Sequence, residues 1–195
     1  MFLSIIELNP RCRQVQSELR DLYEMHRTIS KAFDDEGYDK ARCLFRIDGS
    51  DRPKVLIQSL VRPCWDRLTT PTDYTDSEPK IVEFEPVIQC GQLLHFKLRV
   101  NPTVKRDGKR EGLYREEEQY AWLKRKGEQG GFGVLDVVAR SEGEQKANRD
   151  KIVSLAVVFE GTLRVTDAEV FIETLKSGIG SAKGFGFGLL SLARA

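Results

Sequence analysis

The order of strands and helices in the second half of the chain is the feature that most limits its fold. Four apolar runs predict strands over Leu93 to Val100, Phe132 to Ala139, Lys151 to Phe159 and Phe187 to Ala193. Two amphipathic runs predict helices over Arg115 to Lys126, ended by Gly127, and over Asp167 to Ser177. The resulting β-α-β-β-α-β order is the split arrangement of ferredoxin-like folds, so we predict an α+β fold.

The first half of the chain follows nearly the same order. We predict strands over Phe2 to Leu8, Cys43 to Ile47, Lys54 to Leu60 and the segment KIVEFEP, a helical segment over Arg11 to Phe33, and a short second helix around Trp65. The chain is thus predicted to form two tandem ferredoxin-like (RRM-like, βαββαβ) domains over residues 1–87 and 88–195. The linker is expected near Pro86 to Gly91, and the polar segment SEGEQKANRD is expected to be a mobile hairpin loop.

Composition excludes several classes of protein. Of the 195 residues 40% are hydrophobic and 31% charged, which is typical of a soluble globular protein. No run approaches the ~18 apolar residues of a membrane span, and FLSIIEL is too short for a signal sequence, so we expect a cytoplasmic protein without membrane contact. The four cysteines contain no C-x-x-C pair and there are two histidines, so we expect reduced thiols and no metal site.

A net charge of +1 hides a local basic strip. Six cations lie close together, at Lys97, Arg99, Lys105, Arg106, Lys109 and Arg110, with Asp107 as the single carboxylate among them. In the strand LLHFKLRV the residues His95, Lys97 and Arg99 alternate with apolar residues and point to one face. Asp107-Gly108 is a two-residue hairpin turn flanked by basic pairs. The strip predicts a nucleic-acid groove, and the alternative is a solvated charged hairpin.

The C-terminal segment is rich in glycine and contains one lysine, Lys183. Its glycines are Gly178, Gly180, Gly184, Gly186 and Gly188. A P-loop requires Ser or Thr after the lysine, and a dinucleotide-binding turn requires G-x-G-x-x-G between a strand and a helix; neither pattern is present. The segment instead follows a predicted helix, for which Thr166 and Glu169 form a capping box. It either contacts a nucleic-acid backbone or lets helix and strand pack closely.

The segment DLYEMHRTISKAF predicts an amphipathic helix with a histidine at the edge of its apolar face. Asp21 is expected to cap the helix, with Glu24 completing a capping box. The apolar face is formed by Leu22, Met25, Ile29, Ala32 and Phe33. The opposite face carries Tyr23, Arg27, Ser30 and Lys31, and His26 lies at the margin.

This pattern around His26 indicates acid–base chemistry on a phosphate ester. A half-desolvated imidazole next to two cations favours its neutral form near pH 7 and could accept a proton from a hydroxyl. Tyr23 could orient the imidazole, and the cations of Arg27 and Lys31 could hold a phosphate. These groups suffice for metal-free RNA cleavage by a ribose 2′-hydroxyl. The alternative is a surface histidine beside a stacked tyrosine.

Together, YEMHRTISKAF, the two ferredoxin-like halves and GIGSAKGFGFGLLSLAR resemble the CasE family of CRISPR repeat-processing endoribonucleases. The resemblance implies a catalytic His26 assisted by Tyr23, with Arg27 and Lys31 lining the site and Lys31 a further catalytic candidate. It implies that the glycine-rich loop, with Lys183, packs near the RNA path and that the basic hairpin contacts the stem of the RNA. Phe185 and Phe187 are bulkier than the small aliphatic residues expected there.

The family resemblance also implies the activity and the partners. The expected reaction is metal-independent cleavage of CRISPR precursor RNA at the base of its repeat hairpin, without a cofactor. The expected products are a 2′,3′-cyclic phosphate or 3′-phosphate and a 5′-hydroxyl, and the mature guide RNA stays bound as the protein joins other Cascade subunits. His26 could act as the base or the acid. One alternative is a non-catalytic RNA-binding subunit of the same architecture, and another is a small-nucleotide-binding regulatory module.

Overall fold

A computed structural model describes residues 1–33, 40–68, 70–147 and 152–195. The chain forms two compact units. The first comprises residues 1–85, 146–152 and 184–186, and the second comprises residues 86–145, 153–183 and 187–195. The short segment Gly184–Gly186 therefore belongs to the first unit although its neighbours in the chain belong to the second. The predicted domains, 1–87 and 88–195, stay a prediction.

The first unit is a four-stranded antiparallel sheet with two helices. Its elements are β1 (Phe2–Glu7), α1 (Arg13–Arg20), α2 (Leu22–Ser30), β2 (Leu44–Asp48), β3 (Lys54–Ser59), a 3₁₀ turn (Trp65–Arg67) and β4 (Lys80–Glu83). The strand order is β2-β3-β1-β4, and Ser4 of β1 lies opposite Ile57 of β3 and Ile81 of β4. The 3₁₀ turn at Trp65 matches the predicted short second helix.

The core of the first unit fixes the orientation of α2. Met25, Ile29 and Ala32 are each at most 2% exposed, and they pack in one cluster with Phe45 of β2 and Ile57 of β3. The predicted apolar face of the histidine helix is therefore confirmed. Burial of such side chains contributes about 1.5–3 kcal/mol each, so the core strongly disfavours rotation of α2 about its axis.

The predicted continuous helical segment from Arg11 to Phe33 is wrong at Asp21. Asp21 is extended, with φ −134° and ψ 92°, and it separates α1 from α2. Its backbone N–H donates to the carbonyl of Ser17, while its side chain accepts a hydrogen bond from the backbone N–H of Tyr23 at 3.1 Å. Asp21 thus caps α2 as predicted, and by doing so it ends the regular helix before it.

A buried carboxylate joins α1 to α2. Glu18 is 4% exposed and accepts hydrogen bonds from the Thr28 hydroxyl of α2 at 2.7 Å and from the Tyr74 hydroxyl at 2.5 Å. The Gln14 amide donates a third hydrogen bond to it at 2.7 Å. Burial and the contact with Glu18 raise the pKa of Tyr74, so its hydroxyl stays protonated and donates. This network fixes α2 at Thr28, next to the buried Ile29.

The second unit repeats the strand order of the first. Its elements are β5 (Leu93–Val100), β6 (Thr103–Arg106), β7 (Lys109–Gly112), α3 (Glu116–Gln129), β8 (Phe132–Ala147), β9 (Ile152–Val165), α4 (Ala168–Ser177) and β10 (Leu190–Arg194). The strand order of this sheet is β10-β5-β9-β8, and that of the first sheet, read from its other edge, is β4-β1-β3-β2. In both sheets the last strand in the chain lies beside the first one. The α+β class and the two ferredoxin-like halves are confirmed. The β6–β7 hairpin turns at Asp107 (φ 48°) and Gly108 (φ 80°), as predicted.

Two predicted helix boundaries in the second unit are wrong. Helix α3 does not end at Gly127 but continues to Gln129, and a β-carbon at Gly127 would lie 2.7 Å from the carbonyl oxygen of Phe132. Glycine is therefore required there by close packing and not by helix termination. Helix α4 is capped by Asp167, whose carboxylate accepts from the N–H of Val170 at 3.0 Å, and not by Thr166. Gly178 ends α4 with φ 72°.

Three predicted strands of the second unit also differ in their bounds. β9 continues past Phe159 to Val165, and the predicted first residue, Lys151, lies outside the described residues. Residues 141–147 of the expected hairpin loop belong to the long strand β8, because backbone pairing at the sheet edge does not require apolar side chains. The last three residues of that predicted loop, 148–150, lie outside the described residues. The last strand begins at Leu190 and not at Phe187.

Candidate active site

Helix α2 holds His26 at the boundary between the core and solvent. The Nδ1 atom of His26 is buried, and its ring lies parallel to the Phe45 ring, with centroids 6.1 Å apart and planes inclined by 13°. The residue as a whole is half-buried. Since Nδ1 is enclosed, Nε2 is the nitrogen through which this imidazole would exchange a proton with a substrate.

Burial changes the acid–base behaviour of this histidine. Desolvation lowers the pKa of His26 from its ordinary value of 6.5, because the charged imidazolium loses hydration inside the protein. The neutral imidazole therefore predominates near pH 7, as expected. A neutral imidazole can accept a proton from a hydroxyl group and can return it later in a reaction.

The segment Gly184–Gly186 contacts α2 at His26 and at Tyr23. A β-carbon built on Gly184 would lie 3.5 Å from Cδ2 and 3.6 Å from Nε2 of His26, so the backbone of this glycine approaches the imidazole closely. The next residue, Phe185, packs its ring on Tyr23, with centroids 6.1 Å apart and planes inclined by 33°. Two consecutive residues thus contact the two side chains for which the sequence predicted chemistry.

The two cations predicted beside His26 have different surroundings. The Arg27 side chain is 62% exposed and forms an ion pair with Glu24 at 3.0 Å. Glu24 therefore contacts Arg27 and does not complete the predicted capping box, since the backbone N–H of Asp21 already donates to Ser17. Lys31 is exposed at the C-terminal end of α2, where a cation is favoured by the helix dipole.

Lys183 lies at the end of α4. Its ammonium donates a hydrogen bond of 2.6 Å to the carbonyl of Ser177, the last residue of that helix. This contact satisfies a helix-terminal carbonyl, and the lysine charge offsets the negative end of the helix dipole. The glycine-rich loop around it turns sharply: Gly178, Gly180, Gly186 and Gly188 all have φ between 72° and 88°.

The predicted basic face of β5 is largely neutralised. Lys97 pairs with Glu160 at 3.0 Å, and Arg99 pairs with Glu142 at 2.8 Å. Arg99 is 9% exposed, and its guanidinium lies 4.5 Å from the ring centroid of Phe187. Acidic residues of β8 and β9 thus accompany the cations of the predicted basic face, and Arg99 is buried on it.

The β6–β7 hairpin presents its cations on two faces. Lys105 and Arg110 are cross-strand partners and so share one face, and Arg106 and Lys109 share the other. Arg106 contacts Glu111 at 3.4 Å and Glu118 at 3.5 Å. All four residues are exposed. The face with Lys105 and Arg110 is thus the more strongly positive of the two.

Several residues of the site were not identified from sequence. Phe45 is part of a short apolar strand and carries no local signal that it packs on a histidine. Glu18 looks like a surface carboxylate in a polar helix, and only its hydrogen bonds reveal its burial. The contact between Phe185 and Tyr23 joins residues far apart in the chain, although the unusual size of Phe185 was visible.

Within residues 1–33, 40–68, 70–147 and 152–195, no group of three or more His, Cys, Asp or Glu side chains is arranged to hold a metal ion. Among the helices that the structure describes, none is long and apolar enough to span a membrane.

Comparison with known proteins identifies similar sequences and structures. A profile of the family described as CRISPR associated protein matches residues 1–194. The chain is 36% identical to the CRISPR-associated endoribonuclease Cse3 of Thermus thermophilus over 217 positions, which cover 99% of this chain and 100% of that protein. It is 36% identical to the CRISPR system Cascade subunit CasE of Escherichia coli over 198 positions, covering 89% and 92% of the two chains.

Two solved structures have the same fold. Thermus thermophilus Cse3 bound to an RNA representing a pre-cleavage complex matches with a TM-score of 0.89 at 36% identity, over 98% of each chain. The crystal structure of Cas6e from Escherichia coli matches with a TM-score of 0.75 at 30% identity, over 100% of each chain.

Proposed function

The chain belongs to the CRISPR associated protein family, and on this premise we propose that it is an endoribonuclease that cuts CRISPR precursor RNA within the repeat hairpin. The observation that carries the proposal is the half-buried His26 on α2, with its lowered pKa and its neighbours Tyr23 and Gly184. The name of the Thermus thermophilus relative, CRISPR-associated endoribonuclease Cse3, supports the same activity.

The proposed reaction is an internal transesterification. The ribose 2′-oxygen loses its proton to a base and forms a bond to the adjacent phosphorus. The bond from phosphorus to the 5′-oxygen of the next nucleotide breaks, and that oxygen takes a proton from an acid. The products are a 2′,3′-cyclic phosphate, which water can open to a 3′-phosphate, and a 5′-hydroxyl. No metal ion or cofactor enters this scheme.

The side chains of α2 supply the groups that such a reaction needs. His26 exchanges a proton through Nε2, either as base or as acid. The complementary role falls to the Tyr23 hydroxyl, the Lys31 ammonium or a water molecule, because one imidazole cannot hold both roles in the same step. Arg27 and Lys31 would hold the phosphate and stabilise the negative charge that develops on its oxygens.

RNA binding is proposed for the exposed cations of the hairpin. Lys105, Lys109 and Arg110 are the strongest candidates, since Arg106 has two carboxylates nearby. Side chains read A-form duplexes poorly by base edges, so contacts with phosphates and with the shape of the stem should dominate affinity. Lys97, Arg99 and Lys183 are weaker candidates because each already has a protein partner.

The proposed biological setting follows from the substrate and the relatives. One relative is named a Cascade subunit, and we propose that this chain likewise keeps its cleaved guide RNA and joins other Cascade subunits. The substrate is a transcript, so the protein is expected in the cytoplasm.

The test is cleavage of a repeat RNA by the purified full chain, once with EDTA and once with magnesium. We expect equal rates in both, with a 5′-hydroxyl on the downstream fragment. Cleavage only with magnesium would contradict the mechanism. RNA that is bound but left intact in both would favour the non-catalytic RNA-binding subunit, and tight nucleotide binding without RNA binding would favour the regulatory module.

A further inference from the structure

Gly184 faces the ring plane of His26. Its constructed β-carbon would lie 3.5 Å from Cδ2, 3.6 Å from Nε2 and 3.8 Å from Cγ. These three atoms are consecutive in the ring. A point in the ring plane that is 3.5 Å from the middle atom, Cδ2, would lie distinctly farther from at least one of its two neighbours. The missing side chain would therefore lie over the face of the imidazole, in ordinary van der Waals contact with it.

The backbone does not require glycine at this position. Gly184 lies in the 3₁₀ turn Lys183–Phe185, and it is not among the glycines whose φ is positive. Alanine is therefore compatible with its conformation, in contrast to Gly186 (φ 75°) and Gly188 (φ 88°). A β-carbon there would also not collide with backbone, as the nearest atoms belong to the His26 ring.

Phe185 fixes the segment against α2. Its ring packs on Tyr23 at a centroid distance of 6.1 Å, so the residue directly after Gly184 is anchored to the catalytic helix. An anchored backbone keeps its distance from the imidazole constant. The approach of this segment to the ring face thus depends on two features: the absence of a side chain at Gly184 and the aromatic contact of Phe185.

We propose that Gly184 and Phe185 are positioning residues: Gly184 keeps a side chain off the imidazole face of His26, so that the ribose or base next to the scissile phosphate can approach the ring, and Phe185 holds the segment in place. This inference rests on the proposed function. A side chain at position 184 would occupy the space that the nucleotide needs, and it would also shield Nε2 from reagents in solution.

The test combines RNA cleavage with chemical modification of histidine. In single-turnover assays at saturating protein, Gly184→Ala should cut about tenfold more slowly and Gly184→Leu about a hundredfold more slowly, since losing proton transfer by a side chain altogether costs about 10²–10⁴-fold. Diethyl pyrocarbonate should modify His26 more slowly in both variants, as followed by peptide mass spectrometry. His95, the other histidine of the chain, is exposed and serves as the internal control.

Two further variants make the test specific. Gly133→Ala is the matched control, because its β-carbon would meet only the Thr166 methyl at 4.0 Å, and it should behave as wild type. Phe185→Ala should slow cleavage about tenfold as well, since small displacements of reacting groups are costly. It should, however, raise the modification rate of His26, because the segment over the imidazole is released.

The outcomes separate this inference from the proposed function. Wild-type protein that leaves repeat RNA intact overturns the proposed nuclease. Wild-type protein that cuts, together with a Gly184→Leu variant that cuts equally fast and shows an unchanged His26 modification rate, overturns the inference alone.

Discussion

At the scale of single residues, the surroundings of His26 determine its protonation. The pKa of His26 is lowered by burial, so the folded protein binds this proton less readily than the unfolded chain. Its contribution to the free energy of unfolding is therefore fully present above about pH 6.5 and declines as the pH falls from there through the folded pKa. We predict that an NMR titration of the folded protein gives a midpoint for His26 below 6.5.

The control for this titration is His95→Ala, which leaves a single histidine signal and so assigns it. A His26 midpoint at or above 6.5 would contradict the burial that the structure gives this imidazole.

Some properties of single residues could be predicted from the sequence and others could not. The marginal position of His26 follows from helical periodicity, because Met25 and Ile29 must face the core. The partner of Arg99 could not be predicted, because Glu142 is 43 residues away and reaches it only through the sheet. The cap of α4 was ambiguous by nature, since Thr166 and Asp167 are both good capping residues and the backbone selects one of them.

At the scale of elements, the β6–β7 hairpin makes a prediction about RNA binding. Lys105 and Arg110 share one exposed face of the hairpin, whereas Arg106 on the other face contacts two glutamates. Replacing Lys105 and Arg110 by Gln should weaken binding to a repeat hairpin and lower the slope of log K against log salt by about 1 for each lost phosphate contact.

Arg106→Gln is the matched control for the hairpin, as it also removes one positive charge from the same tip. It should change the slope less than either replacement on the other face. The slope is measured by RNA binding at a series of salt concentrations. If the Lys105 and Arg110 variant keeps the wild-type slope, the hairpin does not contact RNA phosphates.

Elements were predicted more accurately than their ends. β5 has the predicted bounds, Leu93 to Val100, because its strict alternation matches a half-buried strand. β8 is longer than predicted, because residues 141–147 pair through their backbone at the edge of the sheet, where residues 141–144 are exposed. Gly127 lies inside α3, where close packing requires a glycine. In a sequence such a glycine looks like one that ends a helix.

At the scale of the whole molecule, the repeated strand order was the most predictable feature. Element order follows from hydrophobic periodicity alone, and the same order occurs in both sheets. The division of the chain was less predictable, because Gly184–Gly186 belongs to the first unit although it lies near the C-terminus. Long-range contacts such as that between Phe185 and Tyr23 leave no periodic pattern in the sequence.

In the proposed reaction His26 is the group that moves the proton. The most direct measurement is the single-turnover cleavage rate of repeat RNA by His26→Ala, compared with His95→Ala in the same buffer with EDTA. We predict a loss of about 10²–10⁴-fold for His26→Ala with RNA affinity retained, as for a general acid or base, and a nearly unchanged rate for His95→Ala. A His26→Ala protein that cuts at the wild-type rate, or a His95→Ala protein with an equal loss, would contradict it.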